Sequence, residues 1–271
     1  MKRIICVFLI LFSILHFSFT VCAGEAMDIA ANLILTDYYP TLSIENKNRI
    51  TEIAKGDGSD NEKITLMCSF LDEYSGYAIN ETSNSFFKAE EQYSYSIGKK
   101  LYIKINLFAY GVDDAVISLI DENPNKQILL DLADCSGGLT SVMENIAYKL
   151  VPSGLIYSAK YKNSEQQYFS DNETTNKTIM VITNKNTASC AEILAVALQE
   201  SGIGIIIGEK TFGKSSIQNV RVLPNGGTLK ITVGHWFTRK GKDINLVGII
   251  PDITIGNNCI YYFKKAWEVQ K

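Results

Sequence analysis

The stretch NKNTASCAEILAVALQESGIGIIIGEKTFGKSSIQ, Asn184 to Gln218, decides the fold. It follows an apolar run, Thr178 to Thr183, that reads as a strand. Asn184 to Ala188 then break the pattern, after which apolar residues recur at helical spacing from Ile193 to Leu198 until Gly202 closes the run. The pattern predicts strand, short loop, helix over Ser189 to Glu200, and a second strand over Gly204 to Gly208. Ser189 is thereby expected at a helix N-terminus, where exposed backbone N–H groups and the positive end of the helix dipole favour a developing anion. The N–H of Cys190 is a natural donor to such an anion. A hydroxyl alone is a weak nucleophile and needs a base. Past the first 23 residues the chain carries one histidine, His235, so a lysine held neutral is the better candidate. The glycine turn Thr211-Phe212-Gly213-Lys214 supplies one, with Gln218 four residues on.

The same stretch resembles the catalytic core of the C-terminal processing, or tail-specific, peptidases, the Ser–Lys family S41 grouped with the ClpP/crotonase fold. The resemblance implies Ser189 as nucleophile, Lys214 as base and Gln218 as the residue that orients the lysine, with the 25-residue spacing of serine and lysine also in agreement. It extends to QILLDLADCSGGLTSVMENIAYKLVPSG (Gln127 to Gly154), where a turn glycine, Gly137 or Gly138, would join Cys190 N–H in the oxyanion hole. Upstream, LYIKINLF (Leu101 to Phe108) is similar to the strand that opens the protease domain, and FLDEYSGY (Phe70 to Tyr77) to the motif that closes an N-terminal helical segment. Downstream, NGGTLKITVGHWFTRKGKDINLVGIIPDITI (Asn225 to Ile255) is similar to the family's hairpin and its final motif. The implied fold is α/β, a ClpP/crotonase-like protease core with a small N-terminal helical segment and a β-rich C-terminal part.

One departure bears on substrate choice. Members of the family usually carry a PDZ domain between the motif ending at Tyr77 and the strand containing Tyr102, and 25 residues are too few for one. Residues 78–98 are expected to be a linker in its place. Cys190-Ala191, where the family usually has Ala-Ser, leaves the backbone donor intact.

The 271-residue chain opens with a basic start, an apolar run from Ile4 to Phe19 and a small-residue end at Val21-Cys22-Ala23, so residues 1–23 read as a signal peptide of an exported protein, periplasmic, extracellular or at the cell surface. Cleavage after Ala23 is expected. A lipoprotein anchored at Cys22 is disfavoured, because Val21 stands where a small residue is needed. Without the leader, 24 basic residues face 29 acidic ones, a balance that argues against nucleic acid as a partner. No later apolar run is long enough to span a bilayer. Four cysteines follow the leader, Cys68, Cys135, Cys190 and Cys259, at spacings that match no zinc motif. Cys135 and Cys190 flank the two oxyanion donors; burial as small hydrophobes is the ordinary reading, a redox latch the sharper one.

The remaining organisation is an N-terminal helical segment (24–77), compatible with packing on the core or with a homo-oligomer, and a protease core (99–271). In the core, strands at Leu101 to Phe108, Gln127 to Leu132, Thr178 to Thr183 and Gly204 to Gly208 alternate with helices at Val112 to Glu122, Leu139 to Leu150 and Ser189 to Glu200, which implies a largely parallel sheet. A β-hairpin is expected around Asn225-Gly226-Gly227. Each site residue also has a structural alternative: Ser189 a simple N-cap, Lys214 a solvated lysine, Gln218 a strand residue. Their joint occurrence favours catalysis over a peptide-binding module on the same fold or a protease awaiting a partner. Glu192 is expected to support the helix start and His235 to be structural or part of the substrate-facing hairpin. Asn80 and Asn172 match a glycosylation acceptor, a frequent chance pattern. No metal or organic cofactor is called for, and the expected partners are protein or peptide substrates.

Overall fold

The computed structural model describes residues 24–79, 91–173 and 178–256. The signal-peptide and lipoprotein readings, Asn80 and Cys259 lie outside the described residues. Three helices open it, α1 (Glu25–Asp37), α2 (Ile44–Lys55) and α3 (Asp60–Cys68). Two of them start on serine caps. Ser43 Oγ accepts from Asn46 N–H, and at α3 Ser59 and Glu62 form a reciprocal capping box. Ala26, Ala30, Ile34, Ile50, Ile64 and Met67 are buried together as a small core.

A short strand, β1 (Gly76–Ile79), leads into β2 (Tyr93–Ile97) and β3 (Leu101–Ile105), followed by α4 (Val112–Glu122), β4 (Ile128–Asp131) and α5 (Thr140–Leu150). After these come a hairpin of β5 (Gly154–Tyr161) and β6 (Glu165–Ser170), then β7 (Ile179–Thr183), α6 (Cys190–Glu200) and β8 (Gly204–Gly208). The hairpin β9 (Ser216–Val222) and β10 (Gly227–Thr238) and the two-residue β11 (Ile253–Thr254) complete the order. One sheet runs β11-β8-β7-β4-β3-β2, parallel except where β2 joins β3 antiparallel. The other is antiparallel, β1-β10-β5-β6, with β9 also on β10.

Burial explains the sequence pattern. β4 is buried along its whole length, and α6 is buried from Cys190 through Leu198, so both read as continuous apolar runs. They share the main core with Ile103, Phe108, Ile146, Ile156 and Trp236. The second sheet supplies Leu229 and Ile231 of β10 to the helical core, which fastens the N-terminal segment to the rest of the fold.

The α/β class and the helix and strand positions agree with the expected pattern, with small shifts: α5 and α6 begin one residue later than expected, leaving Leu139 and Ser189 as their N-caps. Residues 78–98 are in part built into the sheets, since β1 pairs with β10 and β2 with β3. The β5–β6 hairpin and α2 were not expected as separate elements.

Candidate active site

Three loops leave the carboxyl ends of β4, β7 and β8 and meet, the usual place for a ligand in an open α/β sheet. Hydrogen bonds clamp them. Asn184 Nδ2 donates to Asp134 Oδ1 at 2.8 Å, and Asp134 N–H returns a bond to Asn184 Oδ1 at 3.0 Å. Thr187 Oγ1 donates to Leu132 C=O, Ala188 N–H to Cys135 C=O at 2.9 Å, and Phe212 N–H to Thr187 C=O at 3.0 Å. The loop carrying Ser189 is thus fixed to both the glycine turn and the Lys214 turn.

Ser189 sits at the N-cap of α6 with φ 56° and ψ −122°. An ordinary N-cap has extended backbone, and a non-glycine residue at positive φ is held there against a cost of about 1–3 kcal/mol. Across from it, Gly137 and Gly138 adopt φ 104° and 132°. A Cβ on Gly137 would stand 2.9 Å from Ser189 Cβ, and one on Gly138 would stand 2.5 Å from Phe108 C=O, so the turn's close approach to Ser189 requires glycine at the first and its packing on the Phe108 backbone requires glycine at the second. Gly138 lines the cleft beside Ser189 and Cys190; Gly137 packs behind.

Lys214 and Gln218 line the same cleft of about 360 Å³, with Leu139, Ile193, Ile217 and Trp236 as apolar wall. The Lys214 ammonium donates to Gln218 Oε1. Gln218 Nε2 in turn donates to Ser216 Oγ at 2.9 Å and Thr232 Oγ1 at 3.2 Å, which leaves its carbonyl oxygen for the lysine. Lys214 Nζ also lies 5.1 Å from the centroid of the Tyr74 ring. Burial pushes the Lys214 amine below the ordinary lysine range, and the nearby Lys230 cation works in the same direction.

Two further residues carry the geometry. Glu192 is fully buried, and its carboxylate accepts from Ser189 N–H (2.9 Å), Thr211 Oγ1 (2.6 Å), Gly213 N–H (2.7 Å) and Lys214 N–H (2.9 Å). Desolvation raises its pKa, and those four donors pull it back toward the ionised form. Trp236 Nε1 donates to Lys214 C=O at 3.1 Å, so the lysine backbone is held from both sides. The sequence marked Glu192 only as a helix-start carboxylate and left Tyr74 and Trp236 unremarked. The Ser-x-x-Glu spacing was a signal for the first; nothing local signals the others.

Glu192→Gln should separate these contributions. The amide offers one acceptor and turns an N–H₂ toward other donors, so we expect a lower melting temperature and a loss of about 2 kcal/mol or more. Thermal melts check this; an unchanged melting temperature would contradict the hub role.

His235 stacks on Tyr39 with ring centroids 5.3 Å apart, and its Nδ1 lies 3.3 Å from Ser215 Oγ; it does not line the cleft. Cys135 and Cys190 are buried free thiols. Asn172 Nδ2 is engaged by Lys149 C=O at 2.6 Å. Among the described residues no group of three His, Cys, Asp or Glu side chains could hold a metal ion, and no helix is long and apolar enough to cross a membrane.

Residues 99–255 match the model of peptidase family S41. A carboxyl-terminal-processing protease of Picosynechococcus sp. is 32% identical over 180 residues, which cover 65% of this chain and 43% of that protein. This chain therefore spans less than half the length of that relative. Among solved structures, a photosystem II D1 C-terminal processing protease has a TM-score of 0.54 at 26% identity, covering 61% of this chain and 48% of that one. A lipoprotein from Streptococcus agalactiae has a TM-score of 0.72 at 16% identity, covering 90% and 96%, a likeness of fold that runs through nearly the whole chain. With more than half of its residues inside the family model and its strand, turn and helix order accounted for, the chain belongs to peptidase family S41.

Proposed function

We propose that the protein is an exported endopeptidase that hydrolyses protein substrates through an acyl-enzyme on Ser189, with Lys214 as general base. The observation that carries this reading is that a serine at positive φ on a buried helix N-terminus and a desolvated lysine line one cleft, tied together by Glu192. Neutral Lys214 takes the Ser189 hydroxyl proton as Oγ attacks the peptide carbonyl carbon, and the carbonyl π pair moves onto oxygen. The N–H groups of Cys190 and Gly138 receive that oxyanion, with Gly137 giving the turn its close approach. Collapse breaks the C–N bond, and the leaving amine takes the proton back from the Lys214 ammonium. Water then attacks the ester carbonyl, giving its proton to Lys214, and collapse breaks the C–Oγ bond as Ser189 Oγ takes that proton from the Lys214 ammonium and the acid leaves. Gln218 fixes the lysine nitrogen without adding charge.

Cys190 is no rival nucleophile. Burial pushes its thiol up to about 12, and its Sγ donates to Gly138 C=O at 3.3 Å. Cys135 is likewise pushed up to about 12, again first by burial. Both behave as packed hydrophobes.

With only residues 78–98 where the family usually has a PDZ domain, substrates are selected by an accessible, extended segment that reaches Ser189. One unfolded protein should be cleaved internally at rates that change less than about tenfold, equivalent to about 1.4 kcal/mol, when its last residues are switched from apolar to charged. Larger differences in a gel-based time course would place tail recognition elsewhere in the chain. Hydrolysis of that protein by the wild type and not by Ser189→Ala tests the peptidase reading itself.

A further inference from the structure

The cleft around Ser189 has an electrostatic asymmetry that the hydrolytic steps do not use. Among the described residues, the side chains lining it include two cations, Lys214 and Lys230, and no Asp or Glu. This holds in a chain whose formal net charge is −3. Lys230 sits inside strand β10, between Gly76 of β1 and Val220 of β9, and is exposed. Opposite it, Gly76 presents no side chain, and a Cβ there would meet nothing within 4 Å. The neighbouring positions Leu229 and Ile231 point to the opposite face and are buried in the helical core, so alternation along the strand fixes Lys230 on the cleft side. Two acids act on the neighbouring Lys214 amine, Glu192 and Asp72. The Glu192 carboxylate is filled by four donors, and Asp72 Oδ1 accepts from Ser75 Oγ at 2.7 Å.

We propose that Lys230 is the anion-recognition group of the cleft, and that it pairs with a carboxylate carried by the substrate within the few residues seated beside Ser189. The carboxylate is either an Asp or Glu side chain or the free C-terminus of a short product-length peptide. This rests on the peptidase reading and names the substrate class for the same site. A cation beside apolar walls, facing a cleft that no Asp or Glu among the described residues lines, is completed by a carboxylate that the substrate brings. The pairing also links binding to chemistry. The groups facing the Lys214 amine are Lys230 of β10, Cys190 and Glu192 of α6, and Asp72 and the Tyr74 ring from the segment after α3. Beyond burial, Lys230 helps hold that amine below the ordinary lysine range, whereas Cys190, Glu192 and Asp72 act the other way. A carboxylate neutralising Lys230 would relieve part of this depression only where a substrate is bound.

The test uses the full chain and a set of decapeptides sharing one cleavable bond: one with a Glu two residues from it, the same with Gln, and each with a free or an amidated C-terminus. Wild-type kcat/KM should favour the carboxylate-bearing member by about tenfold, mainly through KM, as a charge-assisted contact in a partly open cleft allows. The Glu/Gln arm and the free/amide arm identify which carboxylate is read. Lys230→Met should bring the ratio close to one and move the acid limb of the pH profile to higher pH, and Lys230→Arg should keep the preference. An unchanged ratio in Lys230→Met, or a wild type that cleaves all four peptides equally, overturns the role of Lys230 while leaving the peptidase reading intact. A wild type that cleaves none of the peptides and no unfolded protein fails the peptidase reading instead.

Discussion

Ser189→Ala is expected to lower peptide hydrolysis by about 10⁴-fold or more, the scale seen when the nucleophile of a serine hydrolase is removed, and to leave the fold intact. The substitution deletes one oxygen. Alanine is no worse than serine at φ 56°, and Ser189 N–H keeps its bond to Glu192. The melting curve should therefore stay within about 1 kcal/mol of wild type. That pairing of a large kinetic loss with a small stability change is what distinguishes a nucleophile from a structural N-cap, whose loss would show in the melt. Full activity in the variant would end the assignment.

Lys214→Arg is expected to be nearly as damaging, because guanidinium stays protonated at any working pH and cannot accept the Ser189 proton. If the unprotonated amine is the base, wild-type activity is expected to rise as pH climbs through a lysine pKa depressed by burial and by Lys230. Stability carries the same sign. Between the depressed pKa of the folded state and the ordinary lysine range of the unfolded chain, the unfolded state binds more protons, so this group makes stability rise with pH across that window. Lys214→Met removes both effects at once: no hydrolysis, and a melting temperature that no longer carries that rise. An active arginine variant, or a wild-type profile without the rising limb, contradicts the general-base role.

The core of this architecture was legible because its signals are local. α6 announces itself by a buried apolar run ended at Gly202, and β7, β8 and β4 by short apolar runs, each buried in the parallel sheet. The β5–β6 hairpin was not, since β6 (Glu165–Ser170) is a mostly exposed strand of polar residues whose pairing with β5 is decided by the sheet and not by its own pattern. The same holds for β2, where tyrosines and serines alternate at the sheet edge and read as linker. At the site, Ser189, Lys214 and Gln218 could be named from spacing, and the structure brings all three to one cleft. What spacing could not supply is the tie between them. Glu192 joins α6 to a turn some twenty residues later, Tyr74 reaches Lys214 from the helical segment, and Lys230 and Trp236 arrive on a strand whose bulge near Val233 depends on β9.

The claim that Ser189 is an acylated nucleophile served by Lys214 is tested most directly by treating the protein with a serine-directed acylating probe and mapping the adduct by mass spectrometry across pH. One adduct is predicted, on Ser189, forming faster as pH rises through the lysine limb, absent in Ser189→Ala and strongly slowed in Lys214→Arg. An adduct on another residue, or labelling of Ser189 at the same rate in Lys214→Arg, would contradict it.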